Sequence, residues 1–388
     1  MSFASTSLRA LAVFAATAVV VSAPARAAEV SQRAVLDNYA NIVAANYDDS
    51  VAGAKALQAA VNEFIAAPSE AGLAKARKEW LAAREWYGQT EAFRFYGGPI
   101  DDEKGPEGLI NAWPLDEAYI DYVDGKPKAG VINNAKAKIT AKNLRALNER
   151  GGEENIATGW HAIEFLLWGQ DLNDNGAGDR KFTDYVDGKA PNADRRRVYL
   201  QTVTDMLVAD LESVAKQWAP NAKNYRAKFV AGGNDSVKKI LTGIGTLSRG
   251  ELAGERIEVA LDTQAQEDEH SCFADNTHRD IVTNAQGIQN VWEGRYKGRD
   301  GKVVEGVSLK ALVAQKNAKL ADTTSANIAG TVKLAEAIKA PFDREIIGDA
   351  KAPGRQRVQA VVDALKKQAG SLVEAAQALG IKRLNTAV

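Results

Sequence analysis

The chain has 388 residues, 49 of them basic and 50 acidic, with 45% hydrophobic residues and one cysteine, Cys272. The charges cancel without forming a basic stripe, which excludes a nucleic-acid surface and a charge-driven membrane partner. One cysteine excludes an intramolecular disulfide, so the fold must rest on packing, and the length implies two domains.

The first segment reads as a signal peptide, residues 1–27. Arg9 gives a basic start, Ala10 to Val21 is an apolar run, and Ala25-Arg26-Ala27 is a small-x-small cleavage site. The apolar run is too short to span a bilayer comfortably. No cysteine follows it, which excludes a lipoprotein anchor. The mature chain, from Ala28, has no further stretch long and apolar enough for a transmembrane helix. This predicts an exported protein, in the periplasm or at the inner face of the outer membrane where a cell has two membranes.

Ala, Leu, Lys, Glu and Gln dominate the rest, and period-2 alternation is nearly absent, which predicts an all-α fold. Residues 29–67 read as two helices broken near Asp48-Asp49-Ser50. Ser69 caps a long helix that carries Leu73, Trp80 and Tyr87 and runs to Arg94. Gly97-Gly98-Pro99 opens a loop, Pro114 starts a short helix through Tyr122, and a further helix covers about 153–168. A loop rich in Asn, Asp, Gly and Pro fills 173–192. Helices then follow at about 194–217, 235–265, 277–292, 308–323, 325–339 and 354–378. Long helices on short connections predict two helical bundles, with domains at 28–192 and 193–388. The Arg- and Glu-bearing stretches 77–94 and 249–262 are similar enough to leave a degenerate duplication open.

The three histidines fall in two motifs. In Gly159-Trp160-His161-Ala162-Ile163-Glu164, His161 and Glu164 are three apart on one helical face and can bind one ion together. The surrounding residues are apolar on nearly all sides, so the helix is buried. A carboxylate there is costly unless paired or metal-bound. The bland alternative is a His–Glu hydrogen bond that keeps helices in register. The second motif, residues 266–280, crowds Asp268, His270, Cys272, His278 and several acids together, a mixture of O, N and S donors without zinc-finger spacing. Its bland reading is an acidic loop before a helix start. Asp116 and Glu117 suit a first helical turn, where acids favour the dipole, and Glu91 and Arg94 suit an ion pair across one turn. Cys272 reads equally well as a small hydrophobe or a functional thiol. The acids Glu251, Glu255, Glu258 and Asp262 share a face that is either solvated or lines a cleft between domains.

The string Gly159–Asp171 resembles the G-x-H-x-x-E signature of the imelysin family, and 113–121, 90–96 and 267–280 resemble further blocks of that family in the same order. The resemblance implies two helical bundles with a site near their interface, export, a link to iron acquisition alongside envelope iron-uptake proteins, and His161 and Glu164 as the motif pair. The family is also classed among metallopeptidases. The residues lack H-E-x-x-H, and Phe165 stands where an H-x-x-E-H motif needs its second histidine. Mixed O and N donors suit iron or zinc. The expected divalent-metal ligands are therefore His161 and Glu164, with His270, Glu91 and Asp116 behind them and Arg94, Glu117, Asp268 and Cys272 close by. Three functions follow: metal (iron) binding at an interdomain site, a metal-dependent envelope peptidase, or a metal-free module for a small ligand.

Overall fold

The computed structural model describes residues 1–2, 29–173 and 175–386, and the expected signal peptide falls almost wholly outside them. The all-α expectation holds: the long elements are helices. Helix α1 (Gln32–Ala66) runs unbroken for 35 residues, where a break was expected at Asp48-Asp49-Ser50. Ser50 is fully buried, and Asp49 accepts hydrogen bonds from the Tyr296 hydroxyl (2.7 Å) and the Arg299 N–H (2.9 Å). Asp49 finds distant partners, Asp48 faces solvent and Ser50 packs inside, so the run does not force the backbone to turn.

Ser69 caps α2 (Glu70–Thr90), its hydroxyl accepting from Gly72 N–H at 3.2 Å. The helix ends before Arg94, tightening into a 3-10 turn at Glu91–Phe93. Helix α3 (Gly159–Trp168) buries all ten of its residues. Helix α4 (Ala193–Trp218) buries Leu200, Val203, Leu207, Leu211 and Trp218 along one face.

Helices α1, α2, α3 and α4 pack together, α4 against α1 and α3. A boundary at residues 192/193 therefore cuts through this bundle. The loop before α4 returns the chain to it, and the first bundle extends to Trp218.

The second bundle begins with α5 (Asn234–Thr246), which continues as a π-helical segment, Leu247–Glu258, and a final turn, Val259–Thr263. It adds α6 (Thr277–Glu293), α7 (Ala318–Ala335) and α8 (Pro353–Ala378). Helix α8 packs on α7 and the π segment, and α6 packs on α7. The break expected near residue 324 lies earlier, where Asn317 caps α7 by accepting from Leu320 N–H at 3.1 Å. A short antiparallel hairpin, β1 (Arg295–Lys297) with β2 (Val303–Glu305), follows α6 and was not foreseen. Helix α6 also crosses to α2. The approach there is close enough that a Cβ on Gly287 would lie 2.4 Å from the Gln89 carbonyl oxygen.

Candidate metal centre at the seam of the two bundles

Gly159 explains how α3 begins. Its φ is +87°, and a Cβ there would sit 2.4 Å from the Ile110 carbonyl oxygen, so only glycine fits. The Trp80 indole N–H of α2 donates to the Trp160 carbonyl at 3.1 Å. These two contacts fix the start of α3 and aim His161 at the seam.

His161 Nδ1 lies 2.8 Å from Glu164 Oε2, and Glu164 Oε1 accepts from Ala274 N–H at 2.9 Å. Both Glu164 oxygens are thus engaged, and the pair does not offer two ligand atoms to one point. Glu164 braces His161, and His161 Nε2 is left buried without a hydrogen-bond partner. His270 sits beside it, the two rings edge-to-face with centroids 4.8 Å apart. His270 is braced in the same manner: its Nδ1–H donates to Asp280 Oδ2 at 2.9 Å, and its Nε2 has only a long contact, 3.5 Å, from Asn111 Nδ2. A carboxylate on one ring nitrogen orients an imidazole and raises its basicity as a ligand.

A buried ion network supports this pair. Asp280 Oδ1 accepts from Arg84 at 2.9 Å, and Asp280 Oδ2 accepts from the Ser271 hydroxyl at 2.5 Å. Arg84 also donates to Asn111 Oδ1 at 2.6 Å and lies over the rings of Trp80, Tyr87 and Trp160. Glu91 accepts from Arg94 at 2.7 Å and from Arg256 at 2.8 Å, and Arg94 reaches Glu107 at 3.1 Å. Arg84 and Glu91 belong to the first bundle and its edge; Asp280 and Arg256 belong to the second.

The electrostatics separate the carboxyls into two kinds. Burial would raise Glu91, yet Arg256 and Arg94 pull it down to about 2. Burial is likewise overcome at Asp280, where Arg84 and His270 hold the carboxyl far below its ordinary range. At Glu164 burial wins: it pushes the carboxyl well up despite the Ala274 N–H and the pull of Arg84. Burial, reinforced by His270 and Arg84, holds His161 well below the ordinary histidine value. His270 falls to about 4 through burial and Arg256, against the pull of Asp280. Both imidazoles are neutral at neutral pH, the form that ligates metal.

A cavity of about 30 Å³ touches the pair, lined by Trp113, Glu117, His161, His270, Cys272 and Phe273 among others. That is room for one water or one ion. Of the expected residues, His161, Glu164, His270 and Glu91 meet at the seam with Arg94, while Glu117 and Cys272 line the cavity. Asp116 does not join them: it is exposed and caps the Glu117–Ile120 turn through Ala118 N–H at 3.0 Å. Asp268 stays outside in the 3-10 turn Gln266–Asp268. Partial burial and nearby Glu164 and Glu269 push the Cys272 thiol well up, so it stays protonated. Arg84, Arg256 and Asp280 were not singled out. Arg84 had a signal, a charge set between Trp80 and Tyr87 on the apolar face of α2.

The orphaned Nε2 of His161, beside a second braced and neutral imidazole, fits a divalent transition metal. Among the described residues, however, His161, Glu164 and His270 do not supply three free donors at one point. A hydrolytic zinc site takes three protein ligands and a water.

The family model described as Imelysin, a peptidase family, matches residues 43–372. Iron-regulated protein A of Synechococcus elongatus is 26% identical over 347 residues, covering 86% of this chain and 84% of that protein. Among solved structures, an iron-regulated protein A precursor from Parabacteroides distasonis superposes with a TM-score of 0.68 at 19% identity, covering 90% of this chain and 96% of that one. An imelysin-like protein from Psychrobacter arcticum gives 0.62 at 17% identity, covering 92% and 97%. At such identities the two structures bear on the fold alone, and both agree with it.

Proposed function

This chain belongs to the imelysin family, and from that premise we propose that it is an exported envelope protein that takes up a divalent metal ion, iron in its physiological setting, at the His161–His270 centre in support of iron acquisition. The observation that carries the reading is the buried Nε2 of His161, which has no partner and stands beside a second imidazole braced in the same way. The name of the cyanobacterial relative, iron-regulated protein A, supports iron over other metals.

His161 Nε2 and His270 Nε2 would hold the ion, with Glu117 and water as neighbouring oxygen donors. Iron in such a site supplies binding and exchange. The protein's own part is orientation: Glu164 and Asp280 fix the rings, and Phe273 and Trp113 limit access. Burial raises the Glu164 carboxyl, so binding that draws on its ionised form strengthens as pH rises. The scarcity of free donors weighs against the peptidase reading.

The test is calorimetric titration of Fe²⁺ under anaerobic conditions, and of Zn²⁺, into metal-stripped protein from Ala28 onward. One ion per chain should bind at the seam. His161→Ala and His270→Ala should abolish that binding, and Glu164→Gln should weaken it about 10–100-fold. Full affinity in His161→Ala would overturn the assignment.

A further inference from the structure

The loop that carries His270 also brings carboxylates together at a second place. Asp171 follows α3, Glu269 and Asp275 flank His270 in the loop, and Asp343 opens the short helix Asp343–Ile346. Oxygens of Asp171, Asp275 and Asp343 lie within 4.8 Å of one another, the one set of three or more ligand-capable side chains to converge so closely among the described residues. Glu269 is fully buried against the carboxyls of Asp343 and Asp275 and beside the Thr277 hydroxyl, and neither of its oxygens makes a well-formed hydrogen bond. Both oxygens of Asp343, which is 7% exposed, and Oδ1 of Asp275, which is 9% exposed, also lack partners. Asp171 accepts from Gln266 Nε2 and Asn173 N–H.

Burying several carboxylates together without bonding them is costly. Native proteins leave such groups only where something else satisfies them. We propose that Asp171, Glu269, Asp275 and Asp343 form a second cation site, built for Ca²⁺ and separate from the His161–His270 centre. The donors are all oxygens, with no imidazole or thiolate, which disfavours zinc and selects a hard ion. Four carboxylates from three segments of chain suit the large, flexible coordination shell of Ca²⁺. Mg²⁺ keeps its water and takes one or two carboxylates. The cluster has routes to solvent: Asp343 lines a cavity of about 390 Å³ with Gln264 and Glu267, and Asp171 lines another of about 590 Å³ with Tyr122 and Arg180. An ion there ties the end of α3 and the second bundle to the loop that places His270 and Ala274, so it stiffens the first centre without touching its ligands.

The site has its own optical reporter. Trp113 Nε1–H donates to the Glu269 carbonyl at 2.7 Å, close enough for indole to sensitise Tb³⁺ luminescence in an oxygen-donor site. The experiment uses metal-stripped protein from Ala28 onward, titrated with Ca²⁺ by calorimetry up to about 10 mM, beyond the weak end of extracellular calcium modules. Tb³⁺ luminescence and thermal melts with Ca²⁺ or with chelator run in parallel. One Ca²⁺ should bind, compete away the Tb³⁺ signal and raise Tm. Asp343→Asn and Asp275→Asn should each weaken binding at least tenfold, and His161→Ala should bind Ca²⁺ as the parent does. The Asp343→Asn melt should also cross over: above the parent in chelator, where one repelling charge is gone, and below it in Ca²⁺. The proposal fails if Ca²⁺ moves neither calorimetry nor Tm of the parent chain. It fails equally if Asp343→Asn binds as tightly as the parent, or if binding disappears in His161→Ala.

Discussion

Replacing Asp280 by Asn tests whether the seam is held by charge as the geometry implies. Asp280 and Arg84 are each no more than 2% exposed at their side chains. The carboxylate accepts from Arg84 and Ser271 and braces His270. The amide removes the charge and turns one acceptor into a donor. Arg84 then keeps Asn111 and three aromatic faces but no counter-ion. Removing one partner of a buried pair costs about 3–5 kcal/mol, mostly through the charge left behind. Asp280→Asn should therefore lower the urea midpoint by that equivalent with an unchanged slope. It should also free the His270 ring and weaken metal binding at the His161–His270 centre about 10–100-fold. Arg84→Met should cost a similar amount, and Arg84→Met with Asp280→Leu should cost clearly less than the two singles together, since no charge is stranded. A single variant that costs under about 1 kcal/mol, or a double variant that is simply additive, would refute the reasoning.

Acid should act on the histidines with a definite sign. The folded His270 value, about 4, lies below the unfolded one, so its contribution is complete above about pH 6.5 and lost as pH falls toward 4. Relative to His270→Gln, the parent should lose roughly 3 kcal/mol over that window in metal-free buffer, read from urea midpoints; a flat difference would exclude the neutral, buried imidazole. Glu164 has the opposite sign, since its folded value is raised: the parent should lose stability relative to Glu164→Gln as pH climbs above the ordinary carboxyl range, and a gain would contradict it. Gly159→Ala places a methyl 2.4 Å from a backbone oxygen at a positive φ and should cost about 3 kcal/mol, from overpacking and left-handed strain together; a loss below about 0.5 kcal/mol in denaturant melts would show that α3 begins more loosely than described.

The fold class was legible because helix-forming composition and apolar spacing agree over long stretches. His161 and Glu164 stood out as a polar pair in a run otherwise apolar on every side. What spacing could not show was which atoms were spoken for: the Ala274 N–H that occupies Glu164 comes from more than a hundred residues away. For the same reason Asp49 looked like a helix breaker until Tyr296 and Arg299 met it. Asp116 read as a ligand or a cap, and the cap took it. A polar loop marks a change of direction and not a change of partner, so the 173–192 stretch could not show that α4 goes back to α1. The acidic cluster was dispersed over 171–343 and had no local signature.

The ion pairs that cross between α2 and the second bundle have a consequence for the two halves. Arg84 meets Asp280 and Glu91 meets Arg256 inside the seam, and Glu85 meets Arg279 at its solvent-touched rim, so each half carries charges that the other half neutralises. Cut between Trp218 and Asn234, either half would bare a stranded arginine or carboxylate in an apolar wall. The halves therefore depend on each other: either one alone would need its seam rewritten before it could stand by itself.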